Sequence, residues 1–142
     1  MKLLKILIVF SLVSSNLFGQ DIITVRYHYD NSKIKTKLDS VFYNINKTIF
    51  ISLDDGFNDS LIVTVNDLPV LNQYLKTNES IGLAGSFEIH FSDSSEIKIL
   101  RLNFIKASCY IVEKINLNYK SLIINKVGSW QFYYSNHFFM RE

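Results

Sequence analysis

Four oxygen-bearing side chains crowd one short stretch, Asp54-Asp55-Gly56-Phe57-Asn58-Asp59. A calcium loop needs oxygens at alternating positions and a further carboxylate to close the shell. Phe57 interrupts the alternation and the next glutamate is Glu79, so Asp54, Asp55, Asn58 and Asp59 read as a hairpin turn before a calcium site. His28, His90 and His137 stand far apart beside bulky residues, with no ligand spacing among them. They read as surface residues, and no metal is expected. Cys109, the single cysteine, has Ala107, Ser108, Tyr110, Ile111 and Val112 around it and no basic neighbour to stabilise a thiolate. It reads as a small buried apolar side chain. No nucleophile-elbow, zinc-helix, phosphate-loop or dinucleotide pattern occurs, so no catalytic residue and no cofactor is assigned. Carboxylates assembled only by the fold, as in a glycoside hydrolase, are the one enzymatic arrangement left open.

The densest aromatic run is C-terminal, where Trp130, Phe132, Tyr133, Tyr134, Phe138 and Phe139 crowd together. On a two-faced strand Trp130, Phe132 and Tyr134 share one side and can enter a core, leaving Tyr133 on the other. The first expectation is therefore a docked last strand. The alternative makes Trp130, Tyr133, Tyr134, Phe138 and Phe139 a contact surface for a partner protein or for sugar rings, since such side chains combine apolar area with a polar tip.

Positioning these residues falls to a chain whose first segment stands apart. Met1–Gly19 reads MKLLKILIVFSLVSSNLFG: two lysines, an apolar run, then small and polar residues. That is the three-part pattern of a secretory signal peptide, with cleavage expected after Gly19. The apolar run is about half the ~20 residues a membrane span needs, so no transmembrane anchor is expected once the leader is removed. Localisation is thus expected to be exported, in the periplasm, at the outer membrane or secreted. Of fifteen Lys and Arg two lie in the leader, and all thirteen Asp and Glu follow it, so residues 20–142 carry 13 − 13 = 0 formal charge. A neutral chain has no long-range field for phosphates, and nucleic-acid binding is not expected. With one cysteine no internal disulfide can form, so the core alone must hold the fold.

Composition and period then name the elements. At 48% hydrophobic and 20% charged the chain is too apolar for disorder. Beyond the leader only Ala84 and Ala107 are alanines, while β-branched and aromatic residues abound, which suits pleated surfaces. Phe87, Ile89 and Phe91 alternate with Glu88 and His90; Ile49-Ile51-Leu53 and Leu61-Val63-Val65 alternate likewise. Strands are expected near 22–29, 33–38, 47–53, 60–66, 86–91, 96–105, 109–116, 120–127 and 130–139. Lys33, Lys35 and Lys37 mark the second as a solvated edge. Asp67 to Lys76 is the one segment that reads as a helix or a loop. Turn clusters at short spacing without intervening helices argue for one antiparallel β-sandwich over 20–142, immunoglobulin- or transthyretin-like, with about seven to nine strands.

Leu68-Pro69-Val70, Gly85-Ser86-Phe87-Glu88-Ile89, Ile97-Lys98-Ile99 through Phe104-Ile105 and Leu122-Ile123-Ile124 together resemble the carboxypeptidase regulatory-like domain, a transthyretin-type sandwich. The family's Gly-Tyr turn is replaced here by Lys106-Ala107-Ser108-Cys109-Tyr110. Tyr43-Asn44-Ile45-Asn46 and Ile49-Phe50-Ile51-Ser52 are similar to periplasmic β-domains of gliding-motility and type IX secretion shaft proteins. Both resemblances imply a non-enzymatic module of a bacterial envelope, either structural or binding an envelope protein or glycan.

Overall fold

The computed structural model describes residues 23–32, 37 and 47–137. The expected leader, the lysine-bearing segment apart from Lys37, and Phe138 and Phe139 lie outside the described residues. Nine strands form among those described: β1 (Val25–Asp30), β2 (Thr48–Leu53), β3 (Asn58–Val65), β4 (Leu68–Lys76), β5 (Gly85–His90), β6 (Ile99–Phe104), β7 (Cys109–Lys114), β8 (Ser121–Val127) and β9 (Ser129–Ser135). They build two sheets, one ordered β1-β9-β8-β2-β5 and one ordered β4-β3-β6-β7. The fold is the all-β sandwich that the two-residue period predicts. No described helix is long and apolar enough to cross a membrane.

Alternation places one side of each strand in the core. Ile49, Ile51 and Leu53 of β2, Leu61 and Val63 of β3, Leu100 and Leu102 of β6, and Leu122 and Ile124 of β8 are fully buried. Each such side chain stabilises the fold by about 2 kcal/mol through area removed from water. Phe57, Phe104 and Trp130 close one end, with Trp130 at 4.9 Å from Phe104 and 5.7 Å from Phe57 between ring centroids.

Three expectations need correction. The segment Leu68–Lys76 is a strand, not a helix or loop. Asn66 and Asp67 both hold positive φ, 50° and 65°, and make the two-residue turn that matches strand twist. β4 then runs along a sheet edge with most side chains exposed, and a register shift between Val63 and Thr64 of its partner breaks the alternation. The cluster from Asp54 to Asp59 is not a hairpin turn, because β2 and β3 belong to different sheets and the loop crosses between them. Pairing is also not antiparallel throughout: β1 runs parallel to β9, and β2 parallel to β8. Alternation reports which face a residue takes, but not the direction of the neighbouring strand.

Candidate functional site

Sheet order sets the geometry. Val25, Tyr27 and Tyr29 pair with Trp130, Phe132 and Tyr134 across the parallel β1–β9 ladder, so both sets point to the core side. Yet β1 is mostly exposed, with Tyr29 at 52%. The two tyrosines form an aromatic ledge beside the outer strand β7 of the opposite sheet.

Glu113 sits beneath that ledge. Ile111 and Glu113 occupy the core side of β7, and Glu113 is only 8% exposed. A buried carboxylate is costly unless hydrogen-bonded. Here the Tyr27 hydroxyl donates to Oε2 at 2.8 Å and the Tyr134 hydroxyl donates to Oε1 at 2.7 Å. No Lys or Arg pairs with it among the described residues. Desolvation first, and then the bond to Glu113, push the Tyr134 phenol well above its ordinary range, and the same causes raise Tyr27. Tyr134 also accepts from the Asn116 amide at 3.3 Å.

Around this pair the rings close up. Tyr29 lies nearly parallel to Tyr134, with centroids 5.6 Å apart, and Tyr119 tilts against it at 5.7 Å. A cleft of ≈ 370 Å³ opens beside them, lined by Tyr29, Glu96, Glu113, Lys114, Asn116 and Asn118 among others. Glu96 is held well below the ordinary carboxyl value, at about 2, first by the hydrogen bond from Lys98 at 2.9 Å and then by the Ser92 amide.

The aromatic surface expected at the C-terminus divides. Trp130 is 6% exposed and Tyr134 1%, so neither offers a face to a ligand: alternation puts both into the core with Phe132. Tyr133 takes the opposite face, half-buried and stacked on His28 at 4.3 Å. The calcium candidates are engaged otherwise. Both Asp59 oxygens accept backbone amides of the β6–β7 turn, from Lys106 at 2.7 Å and Ala107 at 3.0 Å. Asp54 is buried and accepts from the Ser52 hydroxyl, while Asn58 accepts from the Tyr74 hydroxyl. Asp55 is exposed, and its amide donates to Asn125 at 3.3 Å. No group of three or more His, Cys, Asp or Glu is placed to hold a metal ion among the described residues. His28 and His90 are exposed; His137 is half-buried, 3.7 Å from Asp30 and bonded to Ser32 at 2.6 Å. Cys109 is half-buried against the core.

A second feature lies on the outer face of the four-stranded sheet. The outward positions there include Ile62 and Thr64 of β3, Tyr74 and Lys76 of β4, Ile99 and Arg101 of β6, and Tyr110, Val112 and Lys114 of β7. None of the outward positions of these four strands is an Asp or Glu. Arg101 lies over the Tyr110 ring at 4.4 Å, and its Nε is buried without a hydrogen-bond acceptor.

No protein-family model, curated protein or solved structure matches the chain. The sequence reading missed Tyr27, Tyr29, Tyr119, Glu113 and Arg101. One signal was available: in Cys109-Tyr110-Ile111-Val112-Glu113 the alternation that buries Ile111 also puts Glu113 on the core side.

Proposed function

We propose that the chain is an exported, non-enzymatic β-sandwich module of a bacterial cell envelope that works by binding an acidic protein surface. Export rests on the three-part leader pattern of Met1–Gly19. The envelope-module reading rests on the resemblance of Leu68-Pro69-Val70 and Gly85-Ser86-Phe87-Glu88-Ile89 to the carboxypeptidase regulatory-like domain.

The observation that carries the binding reading is Arg101. An arginine without an ion-pair partner among the described residues, stacked on a tyrosine within a face of Ile62, Val112 and Tyr74, has the composition of an interface centre. Lys114 lies diagonally beside it on β7, Lys76 stands at the far end of the same face, and no outward position of the four strands is a carboxylate, so the matching surface is acidic. The test is crosslinking and co-purification of residues 20–142 from envelope fractions at low and high salt. One specific partner is expected, weakened by salt and lost with Arg101→Glu and with Val112→Asp. A partner retained by both variants, or a protein that stays alone after crosslinking, overturns the reading.

A further inference from the structure

The cleft under the β1 ledge shares Lys114 with the outer sheet face, but the rest of its lining differs in chemistry. We propose that it is a saccharide site, with Tyr29 as the stacking platform and Glu113, Asn116 and Asn118 as the polar partners.

The lining chooses the ligand class. Glu113 and Glu96 both border the cleft and disfavour an anion, while Lys114 in the lining and the Lys98 ion pair on Glu96 offset their pull on a free cation. Asn116, Asn118, Ser94 and Ser95 supply neutral donors and acceptors. What remains is a neutral molecule rich in hydroxyl groups. Tyr29 adds the second requirement. It is braced by Tyr27, Tyr119 and Tyr134, with its nearest ring neighbour at 5.6 Å, yet half of it stays open to water. A braced, half-exposed ring loses little freedom when it meets a flat apolar surface, and the C–H face of a pyranose is such a surface. Glu113 completes the site. Its two oxygens each take one tyrosine hydroxyl and each keeps a lone pair for a sugar hydroxyl. The aromatic contact expected at the chain end is thus supplied by β1 and the β7–β8 connection.

The test is NMR titration of residues 20–142 with two soluble probes, a neutral hexose oligomer (cellohexaose) and an N-acetylglucosamine oligomer. Shifts at Tyr29, Asn116 and Asn118 with either probe are expected, and which probe acts identifies the sugar class. Tyr29→Ala and Asn118→Ala, both at exposed positions, are each expected to weaken binding about tenfold, and Tyr29→Phe to keep it. No shift with either probe, or shifts that both alanine variants leave intact, overturns the proposal. Arg101→Glu is expected to leave sugar binding unchanged, so this test and that of the protein-binding face fail independently.

Discussion

A Cβ built at Gly56 would stand 2.1 Å from the backbone oxygen of Lys126, and φ there is +87°. Both facts come from the crossing loop: the Lys126 amide donates to the Asp55 carbonyl at 2.8 Å, which pins the start of β3 against β8. Gly128 also holds a positive φ, +72°, but nothing lies within 4 Å of its missing Cβ. The pair separates backbone strain from collision. Gly128→Ala should cost about 1 kcal/mol through the left-handed backbone alone. Gly56→Ala adds a clash with main chain and should cost about 3 kcal/mol. Urea unfolding checks this: the midpoint should fall about threefold further for Gly56→Ala than for Gly128→Ala, at unchanged slope. Equal losses would show that the loop gives way and that the contact does not constrain it.

Strand β1 is held differently from the other strands. Among the described residues its only sheet partner is β9, its side chains are mostly exposed, and one hydrogen bond, Tyr27 to Glu113, ties it to the opposite sheet. Tyr27→Phe keeps the ring against Phe132 at 5.8 Å and removes only that tie. The expected loss is about 1 kcal/mol, felt locally, so amide exchange in β1 should speed about fivefold while β2 and β8 keep their protection. Uniform acceleration across the molecule would mean that the bond supports the whole core instead. The same strand shows what alternation can convey. Wherever both faces of a strand differ in burial, as in β2, β3, β6 and β9, period two was plain and the boundaries came within a few residues. β4 escaped because an exposed edge with a register shift has no alternating burial to print in the sequence. The cleft and its bracing rings escaped for another reason: Tyr27, Tyr29, Tyr119 and Glu113 come from three separate stretches, and only the packing of one sheet on the other joins β1 to Glu113 of β7. Trp130 and Tyr134 were legible as core residues, and the same alternation that buries them removes them as a contact surface.

On the scale of the whole molecule, charge is distributed so that stability should form a plateau against pH. On the acid side Glu96 is lowered to about 2 by Lys98, and Asp93 is lowered by the Ser95 amide. A carboxyl whose folded value is depressed contributes stability above its ordinary value near 4.5, lost as pH falls toward its folded value. Asp93 is exposed and Glu96 lies at the surface with a third of its side chain open to water, so this limb is shallow. The alkaline limb has a buried source. Tyr134 and Tyr27 are raised above the ordinary phenol value of 10.0, first by desolvation and then by Glu113. A raised phenol contributes stability that is complete below 10 and falls as pH rises, because the unfolded chain releases the proton first. For Tyr134, which is fully buried, the slope is about 1.4 kcal/mol per pH unit above ~10; half-exposed Tyr27 adds less. Urea midpoints measured across pH should therefore be level from about 5 to about 10 and drop beyond. Tyr134→Phe should lower the plateau by about 2 kcal/mol, since Glu113 loses a buried donor, and flatten the alkaline limb. Tyrosinate absorbance should show the buried phenol ionising together with unfolding, after the exposed ones. An alkaline limb as steep in Tyr134→Phe as in the parent chain would place the proton release elsewhere, on Tyr27 if it stays with the phenols bound to Glu113.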